Sequence, residues 1–483
     1  LYLGLDLGTS ALKALLIDDS ERLVATASRN ITTTHPRSGW AEQSPESWID
    51  AAKTVLAELH DVAPEEYAKI AAIGLSGQMH SLVVLDESDT PIRPAILWND
   101  VRGDEWCIET IATFPEATAI SGVRPMPSFT AAKLAWLRRF EPESFKRIRR
   151  IVLPKDYLRL WLTGEIATDP SDAGGTQLFD QANRNWSTKI LADLEVSLEY
   201  LPRILDGTSV AGTVRRSVAD EVGLSVIPVI CGGGDAATSS IGTGCITAGA
   251  SMLSLGTGAV YLSVQDSYRT ISNDSIHNFA HCLPNTWYHM GALLNCGSAL
   301  EWICKVTGQR PADILQRISA SHRAPSGVLF LPYLDGVRTP HGNAEVRGSF
   351  FGLDRAASAE DLVQAVVEGV TFALADADQA LMEVGNKLDS PLLLGGGAKS
   401  LFWTNLIATV FQRPVRRVVD AETGSALGAA RLAMIGTQAA SLEAMAPPPS
   451  EIAEPIHDLC GLYQDRLGDF RAMYSSAERY AQL

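Results

Sequence analysis

The feature that most restricts the fold is a short turn used twice. Leu5-Asp6-Leu7-Gly8-Thr9-Ser10 ends an apolar run over residues 1–7, and β-rich sequence resumes over 11–18. Ser254-Leu255-Gly256-Thr257-Gly258 repeats the pattern within residues 251–263. An apolar strand, a Gly-Thr turn and a second apolar strand predict a β-hairpin in each place. A third strand-like run starts at residue 22 and extends the first hairpin. Two halves that open alike form a weak internal repeat of βββ type rather than a solenoid. At 483 residues the chain is too long for one ordinary core. Two domains are therefore expected, 1–244 and 245–483, with glycine and small residues near Gly244 as the hinge.

Between the hairpins, helical patterns cover residues 46–59, 131–140 and 155–162, and buried-strand runs cover 70–75 and 81–85. A second cycle begins after the apolar run Ile227-Pro228-Val229-Ile230-Cys231. Alternating strands and helices predict an α/β protein.

Charge narrows the partners. A formal net charge of −16 without a Lys/Arg cluster argues against nucleic acid. Seven cysteines, an odd number with no CxxC spacing, predict reduced thiols and a cytoplasmic protein. No apolar run approaches the roughly 20 residues that span a bilayer, so no membrane is expected. Leu1-Tyr2-Leu3-Gly4 already reads as a strand, and no signal peptide is expected within the chain.

The turns carry chemistry. A Gly-Thr turn presents backbone N–H groups and a hydroxyl, which suits phosphate oxygens, although any hairpin also accepts Gly-Thr. Asp6 sits in an apolar strand, where a carboxylate is costly without donors or a cation. A hydrated Mg²⁺ carried by ATP would answer that need. Leu392-Leu393-Leu394-Gly395-Gly396-Gly397-Ala398-Lys399-Ser400 places a triple glycine between a strand and a helix over 401–411, letting the backbone approach a flat or anionic ligand. It has neither the GxGxxG spacing nor the Gly-Lys-Ser/Thr of a P-loop, so a Rossmann or P-loop fold is disfavoured. Gly232-Gly233-Gly234-Asp235 likewise leads from a strand into a helix. Asp235 there is either a helix cap or a general base that accepts a hydroxyl proton during phosphoryl transfer.

Taken in order, these motifs resemble the FGGY carbohydrate kinases. Asp6-Leu7-Gly8-Thr9-Ser10 with Lys13 is similar to the family's first phosphate loop, and residues 127–136, with Lys133 and Trp136, to its first signature. Residues 348–368 resemble the second signature, 394–400 the adenosine loop, and 424–433 the final helix. Trp40-Ala41-Glu42-Gln43, Ser76-Gly77-Gln78-Met79-His80, Ile96-Leu97-Trp98-Asn99-Asp100 and Leu153-Pro154-Lys155-Asp156-Tyr157 resemble those members that phosphorylate D-xylulose.

The resemblance implies an actin-like (ribonuclease H-like) ATPase fold, two similar domains around a central cleft, with ATP and Mg²⁺. It implies Asp235 as catalytic base, and Asp6 with Asp235 as the carboxylates that position the metal. Gln78, Met79, His80, Trp98 and Asp235 would meet the sugar. Thr9, Ser10, Lys13, Gly256, Thr257, Gly258, Gly396, Gly397, Ala398 and Asn405 would meet the nucleotide. Sugar and ATP are the expected partners, and a homodimer is one assembly left open. Three positions depart from the pattern: Ala236 stands where Asn is usual, Gly258 where a small polar residue is usual, and Val337 where Glu is usual. Rival substrates are D-ribulose, L-xylulose, gluconate and glycerol. The rival class is an actin- or chaperone-like nucleotide switch.

Other residues read as structural. His277 and His281, four apart, suggest a metal pair on a helix, but no third ligand follows them. Cys231 and Cys245 read as small core residues, and of Trp98, Trp136, Trp161 and Trp403 only Trp98 suits the border of a sugar pocket.

Overall fold

The computed structural model describes residues 1–321, 324–419 and 424–481. The chain opens with β1 (Tyr2–Leu7), β2 (Ala11–Ile17) and β3 (Leu23–Asn30), which pair in antiparallel sequence. Helix α1 (Pro45–Val62) follows, and its seam of Trp48, Ala52, Val55, Leu56 and Leu59 is buried against these strands. Next come β4 (Ala72–Gly77), α2 (Thr130–Phe140), α3 (Pro154–Thr163), β5 (Val210–Thr213), β6 (Pro228–Ile230) and β7 (Gly233–Gly234). They complete a seven-stranded sheet in the order β5-β6-β4-β1-β2-β3, with β7 also on β4. β4 lies parallel to β1 and to β6.

Helix α4 (Asp235–Gly242) leads into the second half: β8 (Ser251–Leu255), β9 (Ala259–Gln265), β10 (His277–Ala280), β11 (Trp287–Leu293), α5 (Gly297–Thr307), α6 (Pro311–Ser321), α7 (Ala359–Glu383), β12 (Leu392–Leu394), α8 (Leu401–Phe411), β13 (Val415–Val418), α9 (Gly424–Gly436), β14 (Ser450–Ala453) and α10 (His457–Ala481). Its sheet also has seven strands, ordered β10-β11-β9-β8-β12-β13-β14. Again an antiparallel hairpin, β8 with β9, continues into a parallel neighbour, β12. Both expected Gly-Thr hairpins are therefore present, and each begins one sheet of an actin-like ATPase fold.

Strands β1 and β4 are buried along their whole length because both faces of the first sheet are covered. Part of that cover comes from far along the chain. Gly4 and Gly74 are register partners, and a Cβ on either would meet the α9 backbone, Ala426 O at 2.0 Å and Ala429 O at 1.8 Å. The Ala-rich α9 thus rests directly on a floor of two glycines. Gly428 and Gly242 allow the same approach between α9 and α4, where a Cβ would meet Thr238 O at 1.8 Å and Gly424 O at 2.0 Å. One apolar cluster joins Tyr2, Ile17 and Ala72 of the first sheet, Ala237, Ile241, Ala426 and Ala430 of the two helices, and Met252, Leu262 and Leu392 of the second sheet. The paired helices are a layer between the sheets, and burying each Ile, Leu or Met side chain among them contributes about 1.5–3 kcal/mol.

His277 and His281 do not share a helix. His277 begins strand β10 and His281 follows its last residue, and extended backbone holds positions four apart far from each other where a helical turn would bring them together. His281 Nε2 instead bonds Ser240 Oγ at 2.6 Å, while His277 is buried beside His80. Among the described residues, no group of three His, Cys, Asp or Glu side chains is arranged to hold a metal ion. Also among them, no helix is long and apolar enough to cross a membrane.

Candidate active site

Three glycines bring Asp235 to the end of the first sheet. Gly232 has φ +81°, and a Cβ there would lie 2.0 Å from Leu75 O, so only glycine lets this strand approach β4. At Gly234 a Cβ would lie 2.7 Å from Met79 Cγ, which ties the glycine run to the expected sugar-binding turn. The helix cap is Gly234, and Asp235 is the first helical residue, its Oδ1 accepting from Ala236 N at 2.8 Å. Its side chain therefore does not close α4 as a cap would. Burial, then the charge of Asp6, raise its pKa from 3.8 to about 7.

Asp6 lies in β1, opposite Lys13 and beside Ser76. Its Oδ2 accepts from Ser425 Oγ at 2.6 Å, which links the first strand to the start of α9. Among the described residues its Oδ1 is buried without a hydrogen-bond partner, and burial raises its pKa. A half-satisfied carboxylate beside a second one suits a hydrated divalent cation whose remaining ligands are phosphate oxygens and water.

The first turn is wired to residues expected on the sugar side. Thr9 Oγ1 donates to Gln78 Oε1 at 3.0 Å and accepts from Trp98 Nε1 at 2.8 Å. Gln43 Nε2 donates to Thr9 O at 2.7 Å, and Gln78 Nε2 to Gln43 Oε1 at 3.4 Å. The Gln78 amide is thus held on both sides and fixes the turn's shape. Ser10 and Lys13 are exposed next to it.

His80 stands at φ +67°, a left-handed conformation uncommon for a side-chain-bearing residue. Its backbone oxygen accepts from Thr130 Oγ1 at 3.0 Å and from Lys133 Nζ at 2.9 Å, which holds the turn open. Nδ1 lies 2.6 Å from Gly175 O and must carry the proton, because a carbonyl only accepts. Burial pushes the ring's pKa down to about 3. The imidazole is therefore neutral, and Nε2 is an acceptor suited to a sugar hydroxyl. Met79, buried beside it, supplies an apolar floor.

Beneath this turn lies a charged cluster that the sequence patterns did not single out as a unit. Lys155 Nζ is 2.7 Å from Asp156, 3.2 Å from Asp169 and 3.4 Å from Asp172, all fully buried. Arg159 adds a 2.7 Å pair with Asp156. Burial raises the Asp172 carboxyl well above its ordinary range. Ser171 Oγ donates to Asp169 at 2.5 Å and accepts from Gly234 N at 3.0 Å. The glycine run before Asp235 is anchored to this cluster.

The second turn faces a cavity of about 920 Å³ lined by Gly256, Thr257, Gly396, Gly397 and the faces of α5, α6 and α8. Gly256 O and Thr257 O accept from Gly297 N and Cys296 N at 2.8 and 2.9 Å, which seats the turn on the start of α5. Gly395, at φ +89°, lets the triple-glycine loop lie against Leu255, where a Cβ would be 2.8 Å from its carbonyl oxygen. Leu300, Pro311, Leu315 and Phe402 give the cavity an apolar wall, which the sequence motifs did not reveal. Gly258 and Ala398 are not among the residues that line this cavity, Ala398 being buried in the core of the second half, and Asn405 lines an adjoining cavity that shares Ser319 and Phe402. Gly258 has a structural reason: a Cβ would lie 2.5 Å from Leu293 O. Val337 is buried in the core of the second half, where an apolar side chain fits.

Two paired sheets, a turn from each, a cavity of nucleotide size and a carboxylate of raised pKa define a nucleotide-dependent phosphotransferase. Residues 1–242 match the N-terminal domain and 251–437 the C-terminal domain of the FGGY family of carbohydrate kinases. The chain belongs to this family, and it is a carbohydrate kinase that uses ATP as phosphate donor. It is 38% identical to the xylulose kinase of Escherichia coli (strain K12) over 480 residues, 98% of each chain. Its fold matches a "xyloylose kinase" from Brucella ovis with a TM-score of 0.95 and 40% identity, covering 99% of each chain. A gluconate kinase from Lactobacillus acidophilus matches with a TM-score of 0.93 and 26% identity, again over 99% of each chain.

Proposed function

We propose that this kinase transfers the γ-phosphoryl group of ATP to O5 of D-xylulose, giving D-xylulose 5-phosphate and ADP. The observation that carries this reading is the placement of Asp235, a carboxylate with a pKa near 7 beside the Met79-His80 turn. The Asp235 carboxylate accepts the proton of the C5 hydroxyl as O5 attacks phosphorus and the bond to the β-phosphate oxygen breaks. The Thr9 and Thr257 turns direct backbone N–H groups at the phosphates, and the 920 Å³ cavity takes the adenosine. Mg²⁺, held by Asp6 and Asp235, would neutralise phosphate charge when bound. His80 Nε2 accepts from a sugar hydroxyl, and Met79 packs on the carbon chain. The domain division at residue 244 assigns sugar mainly to the first half and nucleotide mainly to the second. The seven cysteines are all free thiols, six of them buried, which supports a reducing, cytoplasmic setting.

Ala236 favours one second reading within the class. A methyl group beside Asp235 offers no hydrogen bond, so another ketose or polyol, or gluconate, is the competitor. A coupled assay of ADP release over pentuloses, hexuloses, pentitols, glycerol and gluconate decides. The expected result is highest kcat/KM for D-xylulose, with one sugar phosphate formed per ADP. A preference for gluconate or D-ribulose of about tenfold or more would replace the substrate, at a cost of only about 1.4 kcal/mol in discrimination. ATP consumption indifferent to sugar would instead indicate a nucleotide switch.

A further inference from the structure

Between Asp169 and Gly175 the chain makes a five-residue helix, Pro170–Gly174, and every residue from 167 to 179 except the last turn's surroundings is buried along with it. Asp169 caps this helix, its Oδ2 accepting from Ser171 N at 2.8 Å and from Asp172 N at 3.4 Å. So short a helix has little stability of its own. It is fixed from outside, Asp169 by Lys155 Nζ at 3.2 Å and Gly174 O by Gln181 Nε2 at 3.1 Å.

Each end of the helix touches one part of the proposed chemistry. At the first end Ser171 Oγ donates to Asp169 Oδ2 at 2.5 Å, which leaves its lone pairs for Gly234 N, 3.0 Å away. The hydroxyl has a single proton, so these two bonds fix its orientation. Gly234 O accepts from Thr238 Oγ1 at 3.1 Å. The residue immediately before Asp235 is thereby gripped at both its N–H and its C=O.

At the other end Gly175 O accepts from His80 Nδ1 at 2.6 Å. Gly175 has φ −71°, open to any residue, so its backbone does not require glycine. The imidazole does, because a Cβ would lie 2.8 Å from His80 Nδ1, 3.0 Å from its Cε1 and 2.9 Å from Met79 Cε. Gly175 N donates to Ser171 O at 3.2 Å, so the two ends are one helical turn apart and bonded to each other.

We propose, resting on Asp235 as base and His80 as sugar acceptor, that Ser171 and Gly175 are positioning residues: the two ends of a buried bracket that sets the spacing between the Asp235 carboxylate and the His80 imidazole. In-line transfer needs the reacting hydroxyl at Asp235 while another hydroxyl of the same sugar is held at His80. A bracket one turn long, immobilised by its own hydrogen bonds, keeps that spacing as ligands come and go. Strand pairing of Gly233 and Gly234 with Ser76 and Gly77 is independent of it, so either end can be altered while the sheet stays intact.

The two ends have different kinetic signatures, read by ADP release with D-xylulose. Ser171→Ala leaves Asp169 its two backbone donors but frees Gly234 N. Its kcat is expected to fall about tenfold to a hundredfold, with KM for sugar changing by less than about threefold. Gly175→Ala displaces the imidazole and is expected to raise KM for sugar by about tenfold or more, with a smaller effect on kcat. An unchanged KM for ATP and a cooperative melting transition show that each variant is folded. Near-wild-type kcat in Ser171→Ala, or an unchanged KM for sugar in Gly175→Ala, overturns the bracket. So does a parallel loss of kcat and of both KM values, the mark of general destabilisation. If Gly175→Ala does not fold, the Ser171→Ala split decides alone. Asp235→Asn is measured beside them. An active Asp235→Asn overturns the base reading, and this inference with it, whereas an inactive Asp235→Asn beside a fully active Ser171→Ala overturns the bracket only.

Discussion

Asp235 and His80 show how burial assigns opposite proton states to two neighbouring groups. Burial lowers the imidazole to about 3 and raises the carboxyl to about 7, so near neutral pH one is a neutral acceptor and the other is poised to take a proton. As the proposed base, Asp235 must be ionised in the free enzyme. Accordingly kcat/KM for sugar should fall as pH drops below about 7, approaching tenfold per unit, and level off above it. Asp235→Asn should lose on the order of 10²–10⁴ in turnover while binding ATP nearly as well. Turnover close to wild type would leave Asp235 a structural residue only. The same shift sets a stability trend in the metal-free protein. The unfolded chain titrates near 3.8 and the folded one near 7, so the folded state binds more protons between them. Its contribution is fully present below about pH 4 and is lost as pH rises through about 7. The melting temperature of Asp235→Asn minus that of wild type should therefore grow from pH 4 to pH 8. A constant difference would show that the carboxylate is solvated in the folded protein.

The elements that matter most are short turns whose shape is set by what lies behind them. The turn between β8 and β9 is backed by the end of β11, and Gly258 is where the two chains touch. Restoring a small polar residue with Gly258→Ser places a Cβ 2.5 Å from Leu293 O and 3.2 Å from Leu294 O. The turn must shift, at about 1–3 kcal/mol. The expected outcome is a KM for ATP raised several-fold, with a lower melting temperature and little change in KM for sugar. An unchanged or lower KM for ATP would mean that the turn adapts and the new hydroxyl reaches a phosphate. The first turn has different support. Gln43, Gln78 and Trp98 hold Thr9 by side-chain hydrogen bonds, so its geometry depends on residues up to 89 positions away.

At the scale of the molecule, the proposed mechanism has one ATP meet a turn from each sheet, and the sheets share a helical layer. The halves are also tied at one edge. Ala280 N donates to Gln181 Oε1 at 2.8 Å, Trp287 Nε1 to Gln181 O at 2.7 Å, and Arg184 to Thr286 O at 2.8 Å. Any closure must pivot on these contacts and on the α4–α9 layer, narrowing the cleft on the side of the turns. Small-angle scattering should show a smaller radius of gyration when D-xylulose and a non-hydrolysable ATP analogue are both present than with neither. Identical profiles would mean that the cleft is closed before ligands arrive.

Local pattern alone was enough for the hairpins, the helices near residues 45, 130 and 154, and the two glycine runs leading into helices. Each rests on short-range physics: alternation of burial, capping, and the φ freedom of glycine. The order of the motifs then carried the family, and with it the proposal of Asp6, Asp235, His80 and the phosphate turns as site residues. What local pattern could not contain was contact between distant segments. Ser425 meets Asp6 across 419 positions, and α9 lies on Gly4 and Gly74. The cluster around Lys155 gathers carboxylates that as separate residues look like ordinary surface charges. The His277–His281 spacing suggested a helix because spacing cannot tell a turn of helix from four residues of strand. Side-chain identity is a property of the sequence; burial and the absence of a partner are properties of the packed molecule, and these set the protonation and specificity of the site.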